Sequence, residues 1–328
     1  MRASIERLDA GFVRAGPWLF GTGLRSATGG ELFERMREAL AAGGSSMSHV
    51  ARLDQYYPHA NVVPAYHHAR KRAFGEGHIA PSTSVIVDGL LAPEAQMDVQ
   101  VIASDHVPQA VHSGLNRPDA SGYTPCVRVA DLIFVAGQLA RDGAGKLAAQ
   151  GTAAETAYIL RERFAPALAA AQSGLELILK AQAYISRPHE AGDFWRAWSA
   201  AFPNGVPPTT VVPLQHPAFL TPDATVEINV IAAHRSAGER IRDIAGAAPA
   251  RMLDGLLFFA GLSAASLENV MERARRALAA AGSDPANIVR LIAFSRDLAS
   301  LPTPGIGFTA VKAPTDLIVD LWGYAPPS

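Results

Sequence analysis

The chain has 328 residues, 49% hydrophobic and only 18% charged, so it can bury more core than one ordinary domain holds, and disorder is not expected. A net charge of −1 offers no general attraction to nucleic acid or acidic membranes, and a single cysteine, Cys126, excludes an internal disulfide and fits a reducing compartment. Residues 1–14 carry Arg2, Glu6, Arg7 and Asp9 in place of the apolar core of a secretory signal. No charge-free apolar run reaches the roughly 18–20 residues that span a bilayer, so a soluble cytoplasmic protein is expected.

In the first third, residues 18–24 read as a short apolar strand running into small residues. Residues 31–42 follow as a helix with Leu32, Met36 and Leu40 on one face, stopped by Gly43 and Gly44. Residues 48–57 read as a strand, and 61–74 as a second helix with Asn61 as its N-cap and Gly75 as its stop. Short alternating strands at 83–87 and 96–103 close this part.

The order then repeats after a polar linker, 104–121. Residues 127–129 and 132–138 form a hairpin, and 153–172 a long helix with Leu160, Phe164 and Leu168 four apart. Pro166 falls inside that helix and should kink or split it. Residues 175–186 are the return strand, and 190–202 a second helix whose Trp195 and Trp198 are expected in the core. Strands at 210–213 and 224–233 close the sheet.

A second linker, 236–249, contains the charged segment 239–243, which reads as a short helix. The third copy starts at Arg251, with a strand at 256–262, a helix at 267–281 and a strand at 288–295. Two prolines and two glycines between Ser295 and Phe308 leave no room for a second helix. Three domains are therefore expected, 1–103, 104–234 and 235–328, the third trimmed.

Each full copy reads β-β-α-β-α-β-β, an α+β sheet covered on one face. The last strands alternate: Val226, Ile228 and Val230 point one way, Glu227 and Asn229 the other, as do Asp98 and Gln100 in the first copy. Asp98, Glu227 and Asp320 read as the same acid at matching places. Three open faces can bury one another in a barrel-like centre, with acids near the interfaces.

The second copy resembles the RidA (YjgF) superfamily over nearly its whole length. The resemblance is carried by residues 122–139, the helix from Ala153, and residues 181–185, 194–203 and 224–232. The first copy is similar to a diverged member, through residues 81–85 and 98–103, and the third is the weakest match. The resemblance implies a chorismate-mutase-like α+β unit that assembles as a trimer with clefts between subunits. A chain of three such units would close a pseudotrimer within itself, leaving room for two chains to pair. It also implies hydrolysis of reactive enamines and imines to a carbonyl product and ammonia, with a small-molecule substrate and no metal or organic cofactor.

Carried over by position, Glu227 and Asp98 become the candidate catalytic acids, and Tyr123, Gly137, Gln138 and Thr209 line the substrate. Thr209 stands where the family has a carboxylate-binding arginine; Ser82 and Phe308 are its equivalents in the other copies. Arg141 and Arg187, near strand ends, are candidate substitutes for that clamp, with Arg25 and Arg296 in similar places. The cluster Tyr56, Tyr57, His59, Tyr66, His67 and His68 reads as packing and helix surface. Adjacent His67 and His68 are poor metal ligands, and no HExxH, P-loop or dinucleotide motif occurs. Cys126 reads as core. A non-catalytic binding protein, or a different enzyme on the same scaffold such as a chorismatase-like one, remains the alternative, and at most one or two clefts should work.

Overall fold

The computed structural model describes residues 5–75, 79–115, 122–221, 223–246, 248–301 and 308–325. The first stretch forms β1 (Ile5–Arg7), β2 (Phe12–Ala15), β3 (Trp18–Ser26), α1 (Gly29–Ala42), β4 (Val50–Tyr57), α2 (Val63–Phe74), β5 (Ser82–Ile86), β6 (Gly89–Leu90) and β7 (Met97–Ser104). The second forms β8 (Gln109–Ala110), β9 (Cys126–Val129), β10 (Leu132–Gln138), α3 (Thr152–Tyr158), α4 (Ala165–Ala170), β11 (Ile178–Ile185), α5 (Ala191–Ala200), β12 (Thr209–Pro213) and β13 (Val226–Ala233). The third forms β14 (Arg242–Ile244), β15 (Ala250–Leu253), β16 (Leu256–Phe259), β17 (Leu262–Ser263), α6 (Leu267–Ala280), β18 (Ile288–Ser295), β19 (Thr309–Lys312) and β20 (Ile318–Tyr324).

Three mixed sheets result, ordered β1-β2-β3-β7-β4-β5, β12-β11-β13-β10-β9-β8 and β14-β15-β16-β20-β18-β19-β6, with β17 on β20. In the first two, a helix crossing makes β4–β5 and β11–β12 parallel. β18–β19 is parallel too, although residues 296–301 form no helix and the rest of that crossing, 302–307, lies outside the described residues. β6 leaves the first stretch to pair with β19 at the edge of the third sheet.

The helix boundaries follow local chemistry. Thr28 and Ser266 cap α1 and α6 by accepting the backbone N–H groups of Glu31 and Asn269. Asn61 is not a cap: residues Ala60–Val62 form a 3-10 turn, and α2 starts at Val63 with Pro64 in its first turn, where a missing N–H costs nothing. The long helix of the second stretch is not broken at Pro166 but is remodelled before it. A π-helical turn, Ile159–Phe164, joins α3 to α4, because proline cannot donate to the carbonyl four residues back. Residues 239–243 are not one helix; a 3-10 turn ends at Arg240 and β14 begins at Arg242. Trp198 is buried, but Trp195 is 39% exposed and outside the core.

Each sheet packs its helices on one face, as with Phe164, Leu168, Phe194 and Trp198 against Val226, Ile228 and Val230. The other faces of all three sheets meet. At one end Trp18, Phe20, Phe134, Phe258 and Trp322 form a shared apolar cluster. At the other end Tyr56, Tyr184 and Phe294 meet with ring centres 6.0 to 6.4 Å apart, and the two tyrosine hydroxyls are 2.9 Å apart.

A charged belt lies between these plugs. Asp54 accepts from Arg52 at 2.7 Å and from Arg290 at 2.7 Å. Asp320 accepts from Arg290 at 2.8 Å and from Lys180 at 2.5 Å. Burial opposes the Asp320 charge, but Lys180 and Arg290 outweigh it and hold the carboxyl below its usual range.

The registers correct one expectation. Tyr56 faces Asp98 and Tyr184 faces Glu227, but Phe294 faces Ile318. Asp320 lies opposite Ile292, one pleat further along, level with Gln100 and Asn229. It is therefore a belt residue and not the third copy of the candidate acid.

Removing Arg290 would leave two buried carboxylates short of a partner. Arg290→Ala is expected to destabilise the fold by about 3–5 kcal/mol, read as a lowered midpoint of urea unfolding.

Candidate active site

The three sheets join edge to face in the same way each time. A strand at or next to a sheet end (β5, β12 or β19) passes a glycine of the neighbouring sheet: Thr83 packs at Gly137, Gly261 N–H donates to the Thr209 carbonyl at 3.1 Å, and Gly23 N–H donates to Thr309 Oγ1 at 3.0 Å. Ser82 lies opposite Leu53 and Thr209 opposite Ala181 in matching registers. Phe308 immediately precedes Thr309, which lies opposite Ile292.

The seam between the first and second sheets holds a cleft of about 1010 Å³. Helix α2 supplies one wall through Val63, His67, His68 and Lys71. The opposite wall is Gln138, Arg141, the turn at 142–145, and Arg163 from the π-helical turn. Ser82, Ser84, Tyr123, Gly137 and Glu227 also belong to the lining.

Glu227 is one of two acids in this lining. Its side chain leaves β13 toward Gly137, and a Cβ at that glycine would fall onto Oε1 and within 3.0 Å of the carboxyl carbon. Glycine is therefore required there for close approach. Burial pushes the Glu227 pKa up to about 8, against the pull of Arg141 and of a hydrogen bond from the Ser84 backbone N–H. The carboxyl group is thus largely protonated at neutral pH. Burial, then the nearby Glu227, pushes the Tyr123 hydroxyl up to about 12. Burial, with Arg70 and Lys71 adding to it, holds His67 at about 4, so its ring is neutral at pH 7.

Gln138 is held by its own backbone surroundings. Its amide nitrogen donates to the carbonyls of Ala136 and Gly137, both at 3.1 Å, which leaves Oε1 to accept from Arg163 Nε at 3.2 Å. Behind Ser82, the buried Arg70 donates to its hydroxyl at 3.1 Å and lies 5.6 Å from the Tyr66 ring and 6.0 Å from the Tyr123 ring.

The cleft therefore gathers Glu227, Tyr123, Gly137, Gln138 and Arg141, and does not gather Asp98, Thr209 or Arg187. Asp98 sits at the seam of the third and first sheets, fully buried between Arg25 Nε at 2.9 Å and Thr309 Oγ1 at 2.8 Å. Burial raises its pKa to about 6, with Arg25 pulling the other way. The Thr209 hydroxyl donates to the Pro207 carbonyl and accepts from Trp198 Nε1, at the seam with the third sheet. In this cleft it is Ser82 that occupies the corresponding register. Arg187 pairs with Glu190 at 3.3 Å on the loop after β11. Cys126 is buried, its thiol pushed up to about 12 by burial, and is no nucleophile.

Sequence reasoning missed Arg163 and Lys71. Arg163 had a signal in Pro166, since the helix must be remodelled in the turn before it. Lys71 had none beyond following Arg70.

Residues 114–234 match the family model described as Endoribonuclease L-PSP. That segment is a RidA/YjgF domain. Among solved structures, a chorismatase is similar over 71% of this chain and 80% of its own, at 14% identity and a TM-score of 0.55, which shows a shared fold. Yeast Mmf1 aligns over 39% of this chain and all 100% of its own, at 19% identity and a TM-score of 0.36. Rv2704 from Mycobacterium tuberculosis, of the YjgF/YER057c/UK114 family, aligns over 38% of this chain and 98% of its own, at 28% identity and a TM-score of 0.33. No curated protein matches the chain. Among the described residues no helix is long and apolar enough to cross a membrane.

The raised pKa of Glu227 links pH to stability. Between its unfolded value near 4.5 and its folded value near 8 the folded chain holds a proton the unfolded chain has lost, so this group's contribution weakens as pH rises. Glu227→Gln should therefore raise the urea midpoint at pH 9 relative to the parent, with little change at pH 4. Gly137→Ala should displace the carboxyl group and bring its titration, followed by carboxyl infrared absorption, down toward the ordinary carboxylate range.

Proposed function

We propose that the chain is a RidA-like hydrolase that converts a small imine or enamine to a carbonyl compound and ammonia in the cleft beside Glu227. The observation that carries this reading is a buried carboxyl group, protonated at neutral pH, opening into a cleft of about 1010 Å³ and flanked by cations.

The chemistry needs little else. Arg141 holds the substrate carboxylate. Glu227 gives its proton to the electron-rich carbon of an enamine and leaves an iminium. Water adds at the iminium carbon, and the Glu227 carboxylate takes the proton that water sheds. The resulting carbinolamine expels ammonia as the proton passes to nitrogen and the carbonyl forms. Tyr123, which stays protonated, is a hydrogen-bond donor beside this path. No cofactor enters these steps.

We also read the three sheets as three RidA-type units, 1–103, 104–234 and 235–328, closed into an intramolecular pseudotrimer, the third with no second helix among the described residues. The repeated strand order and the three like seams support this. The near-neutral charge speaks against RNA as substrate, and we place the protein in the cytoplasm on its single buried cysteine.

One observation favours a different reaction on the same scaffold: about 1010 Å³ far exceeds what a three-carbon enamine fills. A larger substrate with an electron-rich double bond could use the same proton delivery, and the fold shared with a chorismatase agrees with that reading.

The test generates imines of increasing size with an amino-acid oxidase, traps them with semicarbazide and follows semicarbazone loss as protein is added. The parent should lower the yield, and Glu227→Gln should cut that rate by about 10²–10⁴-fold. The rate should fall with rising pH above about 8, where Glu227 loses its proton. Equal rates from parent and Glu227→Gln would end this reading, and no loss with any imine would favour the alternative reaction or a binding protein.

A further inference from the structure

We propose that the substrate of this cleft carries a doubly negative end, either two carboxylates or one phosphate-type group, held between Arg141 and Arg163. The inference rests on the reading of Glu227 as the reacting centre and adds the charge of the molecule that reaches it.

Among the described residues neither arginine forms an ion pair, whereas Arg25, Arg52 and Arg290 each pair with an acid. Both nevertheless line one cleft. They are close enough that Arg141, together with burial, disfavours the charge on Arg163. Two guanidiniums stay charged at any physiological pH, so their repulsion persists until anions join them.

Among the described residues no carboxylate of the lining pairs with either guanidinium. Glu227 is largely protonated at neutral pH. Asp142, the other acid in the lining, turns Oδ1 to the N–H groups of Ala144 and Lys146, both at 2.9 Å. One substrate carboxylate would neutralise only one of the two guanidiniums.

Both arginines are also held in place. Gln138 fixes Arg163 from behind, and the π-helical turn before Pro166 sets where that side chain leaves the helix. The Arg141 backbone is pinned by its bridge to Leu147 and by its N–H to the Leu139 carbonyl at 2.7 Å, and its buried Nε has no hydrogen-bond partner among the described residues. A guanidinium braced as that of Arg163 is loses little freedom on binding, and guanidiniums favour planar, bidentate oxyanions. Arg141 lies near enough to act on both Glu227 and Arg163, so one small molecule can reach all three.

The experiment is calorimetric titration of the whole protein at pH 7.5 and fixed ionic strength with propionate, methylmalonate and ethyl phosphate. Both dianions, or one of them, should bind at least about tenfold tighter than propionate; the tighter one identifies the group as paired carboxylates or phosphate. The advantage should drop below about threefold in Arg163→Gln and Arg141→Gln, persist in Arg187→Gln, and partly return in Arg163→Lys. Matching thermal melts confirm that the variants are folded. Equal binding of all three probes by the parent, or an advantage that survives Arg163→Gln, would overturn the proposal. Turnover is not read here, so the two readings fail separately. A dianion preference without Glu227-dependent hydrolysis removes only the hydrolase, and Glu227-dependent hydrolysis without the preference removes only the doubly charged end.

Discussion

The structure depends on three sheet faces that cannot be left wet. Each sheet is covered by helices on one side only, so the opposite faces must bury one another or expose a large apolar surface. They meet in two apolar plugs with the belt of Arg52, Asp54, Lys180, Arg290 and Asp320 between. The belt charges come from all three sheets and satisfy one another across the centre. Buried charges of this kind penalise misalignment more than they stabilise alignment, because a slipped sheet would strand a carboxylate or a guanidinium. Packing so constrained sets where each sheet edge crosses its neighbour, and the cleft is formed at one of those crossings.

The three crossings share a glycine and a passing strand but differ in what fills them. At the third seam Arg25 reaches both Asp98 and the Phe308 carbonyl and closes the space with an ion pair. At the second, Thr209 accepts from Trp198 Nε1 of α5 and, through its carbonyl, from the Gly261 N–H. At the first, the small Ser82 and Ser84 stand beside Gly137, and the volume stays open. Asp98 and Glu227 occupy the same register, opposite Tyr56 and Tyr184, yet have different surroundings. Asp98 has Arg25 and Thr309 at hydrogen-bond distance. Glu227 meets a backbone N–H and feels Arg141 without an ion pair, so burial dominates and its proton is retained. Equivalent positions thus hold one acid in an ion pair and one that keeps its proton beside a cleft.

Much of the fold was legible because its signals are local. Hydrophobic period, glycine stops and proline located most helices and strands, and the π-helical turn before Pro166 follows from a missing N–H. Trp195 shows where that reading stops: helical spacing from Trp198 suggested core, but the helix turns that side chain outward. The candidate site was legible in part. Glu227, Tyr123, Gly137, Gln138 and Arg141 were named and do converge. Gln138, expected against substrate, braces Arg163.

By itself the sequence determined the repeated order of strands and helices, the apolar alternation that demands buried sheet faces, and the residue types available for acid chemistry and anion binding. These are properties of short segments, set by backbone sterics and side-chain polarity. Only the tertiary structure decided which seam opens, that Ser82 and not Thr209 stands in it, that Asp98 is sealed, and that Asp320 belongs to the belt. Each of these depends on register and on contacts between residues far apart in the chain. Asp320 makes the point most directly: it sits in a segment that looks like those around Asp98 and Glu227, and a shift of two residues in strand pairing moves it from the acid position into the belt.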